Sequence, residues 1–281
     1  MRSSQKFPLR TMTLGVAATA ALLMTVPMAS AQTTTAPSRT STPPASDLPA
    51  AESIIKDAVT AMGGEQAFKD IKSSHMKMSM STPMGAASME SWVIDDAFKL
   101  VMNQMGMNIT AGGKGDEAWM QDPMSGQWQL IEGAQSKDMR QTSTMYNMIV
   151  NMKNRYSSMK TTSKTSFSDA MCYTVECIGD DSTDVYYFNV DKKYLEGIKT
   201  ITEGGPMGGP SESTIVMSDR KKFGELTIPT TMTMDQMGMN IVMSIELLEF
   251  NGVEAAQVAM PDAVKKMKDS APAAPTSQPG G

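Results

Sequence analysis

The stretch from Leu226 to Phe250 constrains this chain more than any other. Leu226, Ile228, Met232 and Met234 alternate with Thr227, Thr231, Thr233 and Asp235, the period of two of a strand with one buried face. Asp235 to Gly238 supplies a turn, after which Met239, Ile241, Met243, Ile245 and Leu247 alternate against Asn240, Ser244 and Glu246. The two apolar rows fit one face of an antiparallel pair. Met102 to Ile109 reads MNQMGMNI and Met234 to Ile241 reads MDQMGMNI, identical at seven of eight positions. A sheet with a methionine-lined face is therefore a recurring motif of the chain.

The two ends read differently from the middle. Arg2, Lys6 and Arg10 precede an apolar run from Met12 to Met28, and Ala29-Ser30-Ala31 is a small-x-small cleavage site. Residues 1–31 are thus expected to be a signal peptide cleaved after Ala31, with the mature protein in the periplasm. No arginine pair and no cysteine lies near that site, which points to export of an unfolded chain and argues against a lipid anchor. No other run approaches the roughly 18 apolar residues needed to cross a bilayer, so the chain is expected not to span one. Losing Arg2, Lys6 and Arg10 takes the formal net charge from -5 to -8, which speaks against nucleic acid or an anionic membrane surface as partner. Residues 32–46, mostly Thr, Ser, Pro and Ala, read as a disordered linker, and 270–281 as a disordered tail. Residues 47–269 remain as one domain with room for a sizeable core.

Between these ends Asp47 is placed to cap a helix from about Pro49 to Met62, with Gly63-Gly64 as its stop. Alternation then predicts strands around Met76 to Met80, Ser88 to Ile94, Phe98 to Met102, Met107 to Ala111, Trp119-Met120 and Trp128, each reversed by a turn. The one long helical pattern follows: Ser136 is a candidate cap, and Met139, Tyr146, Ile149, Met152 and Tyr156 share one stripe. Strands resume at Lys160 to Phe167, Met171 to Ile178, Val185 to Val190, Leu195 to Glu203 and Thr214 to Ser218, ahead of the pair described first. Cys172 and Cys177 lie five steps apart on one predicted strand. That is roughly 16 Å and opposite faces, beyond the reach of a disulfide, so both are expected to be buried free thiols.

The order of these pieces resembles the outer-membrane lipoprotein-sorting family, the LolA/LolB-like fold. Ala58 to Ser73 (AVTAMGGEQAFKDIKS) is similar to its opening helix and lead-in, and Gly115 to Gly126 (GDEAWMQDPMSG) to its Gly-Trp-Pro-Gly hairpin. Tyr186 to Lys199 (YYFNVDKKYLEGIK) resembles the aromatic strand and following turn, and Phe223 to Met232 (FGELTIPTTM) the strand after it. Phe250-Asn251 and Met260-Pro261 resemble the closing strand and its exit. The resemblance implies an α+β fold: a strongly curved antiparallel sheet, an open half-barrel of about eleven strands. An N-terminal helix and one longer amphipathic helix then cover the concave face, with acyl chains held between sheet and lid. The sorting carrier holds its lid with an arginine on an early strand. Lys72 to Ala111 contains none, so that lock does not carry over.

Chemistry in the residues themselves is sparse. His75 is the single histidine, and no nucleophile elbow, zinc or phosphate-loop pattern lies near it, so no enzyme and no cofactor is expected. Trp92, Trp119 and Trp128 suit either a cavity rim or core. Thirty methionines admit three readings: core filler, a plastic acyl pocket, or soft thioether ligands for Cu(I) at Met76, Met78 and Met80 and at Met102, Met105 and Met107. The leading expectation is a periplasmic carrier or binder of lipid or lipoprotein acyl chains. Met232, Met234, Met239, Ile241 and Met243 would form the sheet side of its site, and Met139, Tyr146, Ile149 and Met152 the lid side. Alternatives are an envelope sensor of the same fold that binds lipidated or misfolded proteins and reports them to an envelope protein partner, and a methionine-rich copper-binding protein.

Overall fold

Period-two alternation becomes strand almost wherever it occurs. In this computed structural model residues 48–115, 117–131, 136, 139–140, 143–179, 182–202, 211–236 and 239–270 are described. The signal peptide, the linker, Asp47 and the expected tail beyond Ser270 lie outside them, while Ser270 itself ends a helix. The first six strands are β1 (Ser73–Thr82), β2 (Gly85–Ile94), β3 (Ala97–Gln104), β4 (Met107–Lys114), β5 (Glu117–Gln121) and β6 (Trp128–Ile131). Seven more follow: β7 (Ser158–Phe167), β8 (Ala170–Ile178), β9 (Ser182–Asn189), β10 (Leu195–Thr202), β11 (Ser211–Phe223), β12 (Leu226–Gln236) and β13 (Met239–Phe250). All thirteen join one sheet in the order β6-β5-β4-β3-β2-β1-β13-β12-β11-β10-β9-β8-β7. Every pairing is antiparallel. The sheet is curved and does not close, so it is an open half-barrel. It holds thirteen strands against the about eleven implied by the resemblance, and each of the thirteen coincides with a stretch where alternation predicts one.

The two unpaired edges are managed by helices. Helix α1 (Ala51–Ala61) approaches β7, where Thr161 Oγ1 donates to Pro49 O at 2.7 Å. Ala50, which makes no side-chain cap bond, occupies the N-cap. Gly63 ends α1 at φ 128°, and a Cβ there would stand 2.4 Å from the Glu225 carbonyl, so only glycine permits this approach. Short α2 (Glu65–Lys69) leads into β1. At the other edge the C-terminal helix (Asp262–Ser270) lies against β6 and ties to it through Lys268 and Glu117.

The main core fills the concave face. Ile54, Ile55 and Ala58 of α1 and Met62 at its C-cap pack there with Met76, Met78, Met89, Met232, Met243 and Ile245 of the sheet. A smaller cluster of Ala97, Val253 and Val258 sits against Trp92 and Ile94, on the opposite face.

Two expectations are corrected. Leu247 was placed in the buried row, but Lys77 lies opposite Leu247 and Met78 opposite Ile245. Glu246 is thus a β-bulge residue that reverses the alternation, and Leu248, 5% exposed, takes the inward position. The long helix expected from Ser136 to Tyr156 is kept only at its start, where Ser136, Met139, Arg140 and Ser143 are helical; it then breaks into a 3₁₀ turn at Met145–Asn147, turns to Asn151, and α3 (Met152–Arg155). Thr144, Asn147, Ile149, Val150 and Asn151 are weak helix formers. Tyr146, Ile149 and Met152 recur at steps of three, the 3₁₀ period, so the predicted face is still buried.

Candidate functional site

Register explains how the concave face comes to be paved with sulfur. Met80 stands opposite Met243, Met243 opposite Met232, and Met232 opposite Met217, one row across four strands. A parallel row runs Met102, Met89, Met78. Directly opposed side chains on one face are in contact range, and the unbranched thioether adapts to irregular neighbours.

The segment from Ser143 to Tyr156 covers these rows. Tyr146, Ile149 and Met152 are buried in the main core, and Met139 packs half-buried against it. Three anchors hold the segment. Arg140 donates through Nη1 to Asp96 O at 2.6 Å and through Nη2 to Gly115 O, with its guanidinium 5.6 Å over the Phe98 ring. Tyr146 is hydrogen-bonded to Ser74 and tilts against Phe250, and burial raises its phenol above the ordinary value despite the Ser74 bond.

The third anchor is a buried polar chain. Tyr156 donates to Asp184 Oδ2, and the Tyr186 hydroxyl lies 2.7 Å from that of Tyr156. Arg155 stands 3.9 Å from the same carboxylate oxygen. Burial, with Tyr186 and Asp184 adding to it, pushes the Tyr156 phenol far above its ordinary range. Asp184 is 2% exposed, and its Oδ1 has no hydrogen-bond partner among the described residues.

A cavity of about 30 Å³ remains between cover and sheet. Met145, Tyr146, Met148 and Ile149 line it from the cover, Met62 from α1, and Met217, Ile228, Met232 and Ile245 from the sheet. Tyr194 and Arg220 close one side, Arg220 pairing with Glu196 at 2.8 Å and stacking 4.9 Å over Tyr194. Of the nine residues proposed from sequence, Met232, Tyr146 and Ile149 line this space. Met234, Ile241, Met243 and Met152 are packed in the surrounding core, Met139 lies against it, and Met239 is half-buried at the start of β13. Met62, Met145, Met148, Met217, Tyr194 and Arg220 were not anticipated. Two of them carried a signal, Met217 by its place in the alternation of β11 and Met62 by its place at the end of the predicted N-terminal helix.

The other residues singled out from the sequence take several different positions. Met76 and Met78 are inside the concave core, whereas His75 points to the opposite face, stacked on Trp92 at 5.2 Å and bonded to Glu90 at 2.7 Å. Met102 is half-buried, while Met105 and Met107 are exposed at the β3–β4 turn. Cys172 and Cys177 are buried free thiols, and only Cys177 belongs to the concave core. Trp119 is buried, and Trp92 and Trp128 are half-buried. Among the described residues no helix is long and apolar enough to cross a membrane.

No family model matches the chain, and no curated protein does. Solved structures do. A LolA superfamily protein from Nitrosomonas europaea is 13% identical, with a TM-score of 0.53 over 76% of this chain and 99% of that one. A DUF1329 family protein from Desulfovibrio piger is 12% identical, with a TM-score of 0.52 over 74% of this chain and 99% of that one. A putative outer membrane lipoprotein-sorting protein domain from Vibrio parahaemolyticus is 12% identical, with a TM-score of 0.47 over 77% and 98%. Thirteen antiparallel strands in an open, curved sheet, its concave face covered by helical segments, give this chain the LolA-like fold.

Proposed function

We propose that this protein is a non-catalytic periplasmic carrier that holds acyl chains of lipids or lipoproteins between the concave sheet and the 143–156 segment. The observation that carries the reading is the cavity: methionines of the cover, Met145 and Met148, face methionines of the sheet, Met217 and Met232, with no covalent tie between the layers. Its 30 Å³ is far below the roughly 300 Å³ or more of a working ligand pocket, so the acyl chain enters by lifting the cover and repacking flexible thioethers. The apolar run after Arg10 and the Ala29-Ser30-Ala31 site support export.

Titration with a fluorescent fatty acid tests this. The exported protein should bind it, and Met148→Trp, which fills the cavity from a half-buried position, should weaken binding by about tenfold while the fold survives. A parent that binds no acyl chain, or a variant that binds as tightly as the parent, would rule the site out.

A further inference from the structure

The turns of an antiparallel meander alternate between two ends of the sheet, and here the ends differ in kind. One end carries the turns at Asp95-Asp96, Ser168-Asp169, Asp191 to Lys193 and Gly224-Glu225, all charged. The other carries Met84 in the β1–β2 turn, Met105 and Met107 in the β3–β4 turn, and Met124 in the β5–β6 turn. These three turns are neighbours along the sheet order. Their methionines are 44%, 70%, 46% and 91% exposed. Three further connections belong to this end: methionine beside glycine recurs in sequence in two of them, Pro206-Met207-Gly208 and Met237-Gly238-Met239, whereas the β8–β9 connection, on the far half of the sheet, reads Gly179-Asp180-Asp181.

Charge is absent from the strand ends that carry the first two of these turns. No Asp, Glu, Lys or Arg occurs from Met78 to Met89 or from Leu100 to Gly113. Asp122 in the third turn faces inward, accepting hydrogen bonds from the Met124 and Ser125 amides and the Ser125 hydroxyl. Half-buried Trp128 follows on the adjoining strand, an amphipathic ring suited to the level of lipid headgroups. A single exposed apolar side chain is ordinary, but a row of them purged of charge marks an interaction surface.

We propose that this methionine rim docks the protein on the uncharged surface of a lipid bilayer, the thioether tips entering between headgroups. The lack of cations sets the occupant. No Lys or Arg lies in these three turns to attract anionic lipid, and their one carboxylate, Asp122, is already held by the amides and hydroxyl of its own turn, so contact rests on apolar burial. The inference stands apart from the acyl cavity, whose Tyr194 and Arg220 belong to the charged end.

Flotation of the exported protein with phosphatidylcholine vesicles is the test. The parent should float, with little change when phosphatidylglycerol is added or salt is raised. The fourfold variant Met84→Ser, Met105→Asn, Met107→Ser and Met124→Ser should partition about tenfold less and keep its fatty-acid binding. Asparagine is chosen at 105 because φ there is 52°. Cys172 and Cys177 are buried, so a polarity-sensitive dye reports from Met105→Cys or, at the charged end, Asp169→Cys. A blue shift with vesicles at 105 and none at 169 is expected. No flotation, equal shifts at both sites, or a vesicle-free dimer dispersed by the fourfold variant would overturn the proposal.

Discussion

Tyr156 gives its phenolic hydrogen to Asp184, and this bond fastens the last residue of the cover to strand β9. The Asp184 carboxyl is buried and its other oxygen is already unpartnered among the described residues. Tyr156→Phe therefore leaves a buried acceptor without its donor, a loss of about 1–3 kcal/mol. Denaturant unfolding should show that loss, and hydrogen exchange should quicken across 143–155 more than across β13. Unchanged stability together with unchanged exchange would mean that the bond holds nothing.

Both thiols answer to pH with a sign set by burial. Burial raises Cys177 to about 12, the Asp184 charge adding to it, and raises Cys172 to about 11, with Glu196 adding. An unfolded thiol titrates at an ordinary value of 9.0, so the folded state retains protons that the unfolded state releases. The stability tied to these protons is complete below about 9 and is lost as pH rises towards 12. Unfolding free energy should fall across that window, less steeply in Cys177→Ala. Thiol reagents should label neither cysteine in the native protein at neutral pH and both after denaturation. Rapid native labelling would refute the burial.

The bulge at Glu246 separates two adjacent leucines. Leu248 points into the concave core and Leu247 is half-buried on the far side of the strand. Leu248→Ala should cost about 2–5 kcal/mol and Leu247→Ala well under half of that. Equal costs in thermal or chemical unfolding would place the register differently.

Most strands were legible because their signal is local. On β12 every residue from Leu226 to Met234 alternates as its sequence dictates. The inward set of β13 was readable only as far as Ile245, since a bulge depends on the partner strand and leaves no mark in the alternation. The cover was legible as a face throughout but as a helix only around Ser136 to Ser143: beyond them period three and period 3.6 share Tyr146, Ile149 and Met152 over so short a span. The cavity was the least legible feature. Met62, Met148 and Tyr194 come from three distant parts of the chain, and nothing in the local pattern of any one of them points to the others.

The seam between β1 and β13 has a consequence for how the chain finds its fold. Every other ladder joins strands consecutive in sequence, whereas Ser74 meets Phe250 across about 175 residues. The sheet is therefore two independent zippers, β1–β6 and β7–β13, each able to close hairpin by hairpin at little entropic cost. Their union is one late, long-range event. Until it happens, the edges of β1 and β13 stand open side by side, each a row of unpaired amides and carbonyls. The methionine rows spanning that seam, Met78 and Met80 on one half and Met243 on the other, complete a common interior only when the two halves meet.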